Sequence, residues 1–202
     1  MRISDDMKNN NKFSGFLGAV SGFIEMLFIT LLIVSLVFTY FLRIVEVSGD
    51  SMSSTLESGD RVIMTSGCRH PKQGDIIVFY ASGAVTLDDN SEIVVSAGIR
   101  QNLMKRVIAA EGQTIDFDFA AGKVYVDGRE LDEPYISGLT HSDQGAFTGK
   151  YPVTVPEGYV FVMGDNRRVS VDSRASELGF VPVDDIIGKV VFGISPFGFI
   201  NG

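Results

Sequence analysis

The sequence predicts a mainly β domain carried behind a single N-terminal transmembrane helix. Three observations predict it. An uncharged run of 17 residues, 26–42, has no polar face. Short β-branched and aromatic runs, separated by turn residues, fill the remainder. The length of 202 residues suits one full core plus an accessory segment, not two ordinary domains. A composition of 45% hydrophobic against 21% charged residues also suits a chain with a membrane segment attached.

The run reads MLFITLLIVSLVFTYFL, and Glu25 and Arg43 stand at its ends, where long side chains reach headgroups. With its flanks it meets the roughly 20 residues needed to cross a bilayer. The expected organisation is a tail at 1–22, a membrane helix at 23–43 and a β domain at 44–202. No small-x-small cleavage site follows the run, which continues RIVEV, so it reads as an anchor. Arg2, Lys8 and Lys12 precede the span, and Arg43 alone follows it closely, which puts the tail in the cytoplasm and the domain outside.

Beyond the anchor, strands are expected at RVIMTS (61–66), DIIVFY (75–80), EIVVSA (92–97), LMKRVIAA (103–110), TIDFDF (114–119), KVYV (123–126), YVFVMGD (159–165) and IIGKVVFGI (186–194). Asp127-Gly128 between apolar runs signals a hairpin, because both central residues of a type I′ turn need positive φ. Residues 132–151 are polar and glycine-bearing and read as a long surface loop. A short helix is expected at 173–178.

Charge and residue counts exclude several functions. Beyond Arg43 there are 22 Asp or Glu against 13 Lys or Arg, the wrong sign for neutralising nucleic-acid phosphates. The lone Cys68 offers no internal disulfide. GAFTGK (145–150) superficially resembles a phosphate loop but is one residue short and is followed by Tyr151. Asp116 and Asp118 read as the solvent side of a strand, so no metal is expected, nor any cofactor.

Ser51 follows the apolar run by only nine residues, in SGDSMSSTLESGD (48–60). A serine nucleophile needs a base for its proton and donors for the oxyanion. The two histidines, His70 and His141, lie in polar stretches and read as surface residues. Lysine remains, and Lys105 stands in the apolar run NLMKRVIAA, where alternation turns it inward while Arg106 faces water. Burial disfavours the ammonium form, and a descent from about 10.4 to 7–8 costs roughly 4 kcal/mol that the fold must offset.

These stretches, together with SGDRVIM, QGDIIVF, MKRVIAAEGQTI, KVYVDG, MGDNRRVSVDSRASELGFVP and IIGKVVF, resemble the bacterial type I signal peptidases in order and spacing. The resemblance implies the catalytic β domain shared with the SOS-repressor proteases, and a Ser/Lys dyad. Ser51 would be the nucleophile and Lys105 the general base. Ser170 would orient the amine, Asp172 and Arg174 would form an ion pair beneath the site, and Arg106, Asp165 and Asn166 would support it. The Ser51 backbone N–H would hold the oxyanion. Gly49 stands where some members have a second donor serine, as in the branch typical of Gram-positive bacteria. Ser54 stands where the family usually has proline, which would leave the turn looser.

The resemblance further implies that an extended peptide, the signal peptide of an exported preprotein, adds as a strand between residues 43–46 and 102–104. Val47 and Met104 would line shallow pockets for small side chains. Membrane lipid and the secretion translocon are the implied surroundings, since nine extended residues keep Ser51 within roughly 30 Å of the apolar run. Two alternatives stand beside this reading. A self-cleaving repressor would carry a helix-turn-helix where this chain has its span. A dedicated peptidase, or a degenerate chaperone-like homologue for pilus or surface proteins, would keep the anchor; the degenerate form would lose the serine or the lysine.

Overall fold

The computed structural model describes residues 3–195 and 197–200, so Arg2 of the basic tail lies outside them. The chain falls into two compact units, Met1–Leu42 and Arg43–Gly202.

The first unit is one helix, α1 (Ile3–Tyr40). Its stretch Leu17–Tyr40, 24 residues, is long and apolar enough to cross a membrane. Two hydroxyls inside that stretch are satisfied by the helix itself: Thr30 donates to the Met26 carbonyl at 2.8 Å and Thr39 to that of Ser35 at 2.7 Å. Two boundaries differ from expectation. The helix begins within the stretch assigned to the tail, and it ends at Tyr40, so Leu42 and Arg43 already belong to a strand.

The second unit is mainly β. Its strands are β1 (Leu42–Glu46), β2 (Arg61–Ser66), β3 (Ile76–Tyr80), β4 (Gly83–Leu87), β5 (Ile93–Ala97), β6 (Asn102–Ala110) and β7 (Thr114–Asp118). They continue with β8 (Lys123–Val126), β9 (Arg129–Glu130), β10 (Val153–Thr154), β11 (Tyr159–Met163), β12 (Val181–Pro182), β13 (Ile186–Ser195) and β14 (Gly198–Phe199). The main sheet runs β1-β2-β13-β3-β6-β11-β12 with β14 on β13, a smaller sheet runs β10-β7-β8-β9, and β4 and β5 pair alone. Asp127 and Gly128 join β8 to β9 with φ of +52° and +73°, as a type I′ turn requires.

Three apolar clusters hold the sheets. Ile108, Phe161, Met163, Phe147 and Phe180 pack with β7 and β8 residues, while Ile77, Phe79, Val107 and Val162 pack on the opposite face of β6 and β11. Val47, Met52, Leu56, Val62, Met64, Ile76, Val78 and Val190 form the third, directly beneath the segment that carries Ser51.

Two expectations about irregular segments fail. Within 132–151, Thr140, Ala146 and Phe147 are buried, and Gly145 bridges Ala175, so this loop is partly core. The Phe147 ring packs against that of Phe180, centroids 4.6 Å apart and planes tilted by 42°, which draws the segment inward. Residues 173–178 form turns and not a helix, because their backbone bonds elsewhere: Ser173 N–H donates to the Val162 carbonyl, the Arg174 carbonyl accepts from Ala146 N–H, and the Leu178 carbonyl accepts from Val85 N–H.

Candidate active site

Ser51 opens a tight turn. Thr55 N–H and Leu56 N–H both donate to the Met52 carbonyl, at 3.1 and 2.9 Å, and Met52 and Leu56 sink into the third cluster. The serine is thus raised on an apolar footing. Its own carbonyl accepts from Asn166 N–H at 3.0 Å, which ties the turn to the loop after β11. Among the described residues nothing accepts the Ser51 N–H, which leaves it available to a ligand.

Ser54 departs from the looser turn expected. It is held at φ +103°, a conformation proline cannot adopt and one that costs a β-carbon residue about 1–3 kcal/mol. The cost is offset locally, because its hydroxyl donates to the Tyr135 carbonyl.

Lys105 reaches the same point from β6. Its Nζ lies 2.7 Å from Ser51 Oγ, and the side chain is buried. Burial pushes the ammonium from the ordinary 10.5 down to about 8, with the carboxylates of Asp172 and Asp165 pulling weakly the other way. About a tenth of the molecules then carry the free amine at pH 7, and about half at pH 8. In that form the serine hydroxyl can donate to the nitrogen lone pair.

Arg106 is also buried, against expectation: alternation along β6 puts it on the face opposite Lys105, but that face is covered too. Its charge is matched there. Arg106 Nε and a terminal nitrogen donate to the two oxygens of Asp165 at 2.9 and 2.8 Å, and its other terminal nitrogen donates to the Gly74 carbonyl at 2.9 Å. Asp165 also accepts from Thr55 Oγ1 at 2.5 Å, so this pair grips the nucleophile turn. Asp172 and Arg174 form a second forked pair, at 2.8 and 2.9 Å, and Asp172 accepts from Gly164 N–H at 3.1 Å. A third pair, Arg167 with Glu133, was not foreseen: Arg167 reaches both Glu133 oxygens, donates to Thr140 Oγ1 at 2.7 Å and to the Gly164 carbonyl at 3.1 Å. Three fully buried arginines therefore frame the loop 164–174, each paired.

Ser170 is buried, but the orienting bond to Lys105 is not formed: its hydroxyl has no hydrogen-bond partner among the described residues. It does stand beside the nucleophile. A β-carbon on Gly164 would lie 2.3 Å from Ser170 Oγ and 2.4 Å from the Ser51 carbonyl oxygen, so only glycine lets these atoms close over that backbone. Gly49 sits at φ +87°, and its N–H donates to Ser58 Oγ at 3.3 Å. Val47 is buried in the third cluster and Met104 packs partly buried against it, so Val47 offers little open wall. His70 and His141 are exposed, and the site contains neither. Asp116 and Asp118 bond backbone N–H groups of Phe117 and Ala121, and no group of His, Cys, Asp and Glu among the described residues could hold a metal ion.

The sheet leaves strand edges beside this cluster. β1 ends the main sheet. Residues 102–105 of β6 pair with β3 on one side, whereas β11 on the other side begins pairing only at Arg106.

The family described as "Signal peptidase, peptidase S26" matches residues 20–194, a span that holds every residue of the cluster. The chain belongs to the S26 signal peptidase family. It is 39% identical over 176 residues to the probable signal peptidase I-1 of Synechocystis sp. (strain ATCC 27184 / PCC 6803 / Kazusa), covering 83% of this chain and 81% of that relative. It is 33% identical over 163 residues to signal peptidase IB of Staphylococcus aureus (strain COL), covering 75% and 76% respectively. Among solved structures, a signal peptidase I from Enterococcus faecalis V583 is 27% identical with a TM-score of 0.42, covering 59% of this chain and 95% of that one. Within this signal peptidase family member, the buried arginine pairs and the Ser51–Lys105 contact are thus features of one continuous matched region.

Proposed function

We propose that this chain is a membrane-anchored serine endopeptidase that removes signal peptides from exported preproteins through a Ser51/Lys105 dyad. One observation carries the reading: Lys105 Nζ stands 2.7 Å from Ser51 Oγ, buried, with its pKa lowered to about 8. That is the distance and protonation behaviour a general base at neutral pH requires. Retention of both groups in contact favours the enzyme over a degenerate chaperone-like homologue.

The chemistry runs in two halves. The Lys105 amine takes the hydroxyl proton as Ser51 Oγ bonds to the scissile carbonyl carbon, and the unpartnered Ser51 N–H donates to the developing oxyanion. The resulting ammonium gives its proton to the leaving amine as the C–N bond breaks, which leaves an ester on Ser51. The amine then takes a proton from water, whose oxygen attacks the ester carbonyl, and the proton returns to Ser51 Oγ. Asp172–Arg174 and Arg106–Asp165 hold the loop and the turn in register. Ser170 serves as a reserve partner for the amine, a role its unpartnered hydroxyl leaves open to it.

The substrate adds as an extended strand between the free edge of β1 and residues 102–104 of β6, with its small side chains toward Met104, which Val47 backs from the core. The helix Leu17–Tyr40 anchors the enzyme with its N-terminus in the cytoplasm, the domain outside, and the preprotein delivered at the lipid surface near the translocon. Cleavage of a preprotein in detergent by the wild type, Ser51→Ala and Lys105→Met tests the proposal. Loss of activity in both variants supports the dyad, and activity retained in either one removes it.

A further inference from the structure

The segment between β9 and the Gly145 bridge meets, at one residue, Tyr135, a close chain neighbour of each dyad residue. Its ring lies over the Arg106 guanidinium, 3.9 Å from the carbon to the ring centroid, and Arg106 is the next residue after Lys105. Its carbonyl accepts the Ser54 hydroxyl, three residues after Ser51. Two residues on, Ser137 Oγ donates to the Ser53 carbonyl at 3.3 Å and Ser137 N–H to the Asp165 carbonyl at 3.0 Å. The segment is itself pinned at both ends, by the buried Glu133–Arg167 pair and by buried Thr140, which also meets Arg167.

This is more than a surface loop needs. A purely structural strap would bind the sheet, whereas this one spends its contacts on the two stretches whose separation sets the Ser51–Lys105 distance. Ser54 shows the same thing from the other side. A non-glycine residue held at φ +103° relaxes if its partner is removed, and the backbone between Ser51 and Thr55 relaxes with it.

We infer that residues 133–137 are a strap that positions the dyad, with Tyr135 and Ser54 as its positioning residues. The inference rests on the Ser/Lys reading above. The strap sets the aim of Ser51 through the Ser54–Tyr135 bond and, by lying over Arg106, holds in place the Arg106–Asp165 pair that grips Thr55 of the nucleophile turn.

The test uses the full chain in detergent micelles and one preprotein substrate, with kcat, KM, the pH profile of kcat/KM and thermal unfolding measured for each variant. Ser54→Ala removes the hydroxyl and keeps the β-carbon, so the backbone at φ +103° is left strained and without its partner. It should lower kcat by about 10- to 100-fold with KM and unfolding temperature little changed, as expected for a reacting group displaced by a fraction of an ångström to 1 Å. Ser54→Asn, which tolerates positive φ and offers an amide donor to the same carbonyl, should recover most of that loss. Tyr135→Ala should lower kcat over the same range with KM little changed, as the Arg106–Asp165 pair loses its cover and its hold on Thr55 loosens, and the conservative Tyr135→Phe should restore it. If Ser54→Ala or Tyr135→Ala keeps the wild-type kcat while the protein is folded, the strap is only structural and the inference falls. Ser51→Ala, run alongside, separates the two claims. If it is inactive, failure of the strap variants counts against the strap alone; if it is active, the dyad reading itself is wrong.

Discussion

Replacing Gly164 by alanine perturbs the site through a single methyl group. The added β-carbon would stand 2.4 Å from the Ser51 carbonyl oxygen and 2.3 Å from Ser170 Oγ, where ordinary contact begins near 3.4 Å. Rotation of the unbonded Ser170 hydroxyl clears its oxygen but not its β-carbon, which would stand 2.6 Å away, so the Ser170 backbone must give as well. The Ser51 carbonyl is backbone and must retreat by about 1 Å, against the Asn166 N–H that donates to it at 3.0 Å. A displacement of about 1 Å in a reacting group costs on the order of 100-fold in rate, and overpacking of this kind costs about 1–3 kcal/mol of stability. Preprotein cleavage by the folded fraction, with folding followed by circular dichroism, separates the two effects. Gly179→Ala is the control: its β-carbon would meet the Val85 carbonyl oxygen at 1.8 Å, with neither Ser51 nor Ser170 among its near contacts. That variant should lose stability while its folded fraction keeps kcat. A folded Gly164→Ala protein that cleaves at the wild-type rate would refute the claim that this glycine sets the position of Ser51.

Other outcomes follow from the same geometry. Asp165→Ala leaves the Arg106 guanidinium buried without its carboxylate and frees Thr55, so it should cost about 3–5 kcal/mol in denaturant unfolding. Activity should rise from pH 7 to 9 with a midpoint near 8, and His70→Ala with His141→Ala should leave that profile unchanged; a midpoint near 6.5 lost in the histidine variants would contradict it. Stability should carry the same signature. Below pH 8 both folded and unfolded chains hold the Lys105 proton; between about 8 and 10.5 the folded chain sheds it first. The unfolded state then binds more protons, so stability rises across that window by about 3 kcal/mol. Lys105→Met should abolish this rise, measured as the difference between the two proteins' unfolding free energies at pH 7.5 and 10.5.

The strands that alternate or are continuously apolar were legible because burial on a pleated sheet imposes a period of two, and the ranges 61–66 and 123–126 coincide with β2 and β8. β1 and β4 were not read as strands. The sequence LRIVE merges with the apolar run before it, and GAVTL begins with glycine and has little bulk. The supposed helix at 173–178 misled because its side chains favour helix while its backbone is committed to Gly145 and Val85. At the site, Ser51 and Lys105 were marked by local context and by resemblance. The pairing of Arg106 with Asp165, 59 residues apart, has no local signature, and neither has Glu133 with Arg167. The available hint is compositional: among the charged residues set between apolar ones in MKRVIAA and MGDNRR, Arg106, Asp165 and Arg167 are buried in ion pairs, and Lys105 is the one buried without a carboxylate partner.

The central claim is a lysine amine that loses its proton far more readily than an exposed one, within reach of Ser51. Its most direct measurement is a carbon-13 NMR titration of the Lys105 ε-methylene in the full chain in micelles, assigned by its absence in Lys105→Met. A midpoint near 8 agrees with the account, and a midpoint at the ordinary 10.5 contradicts it.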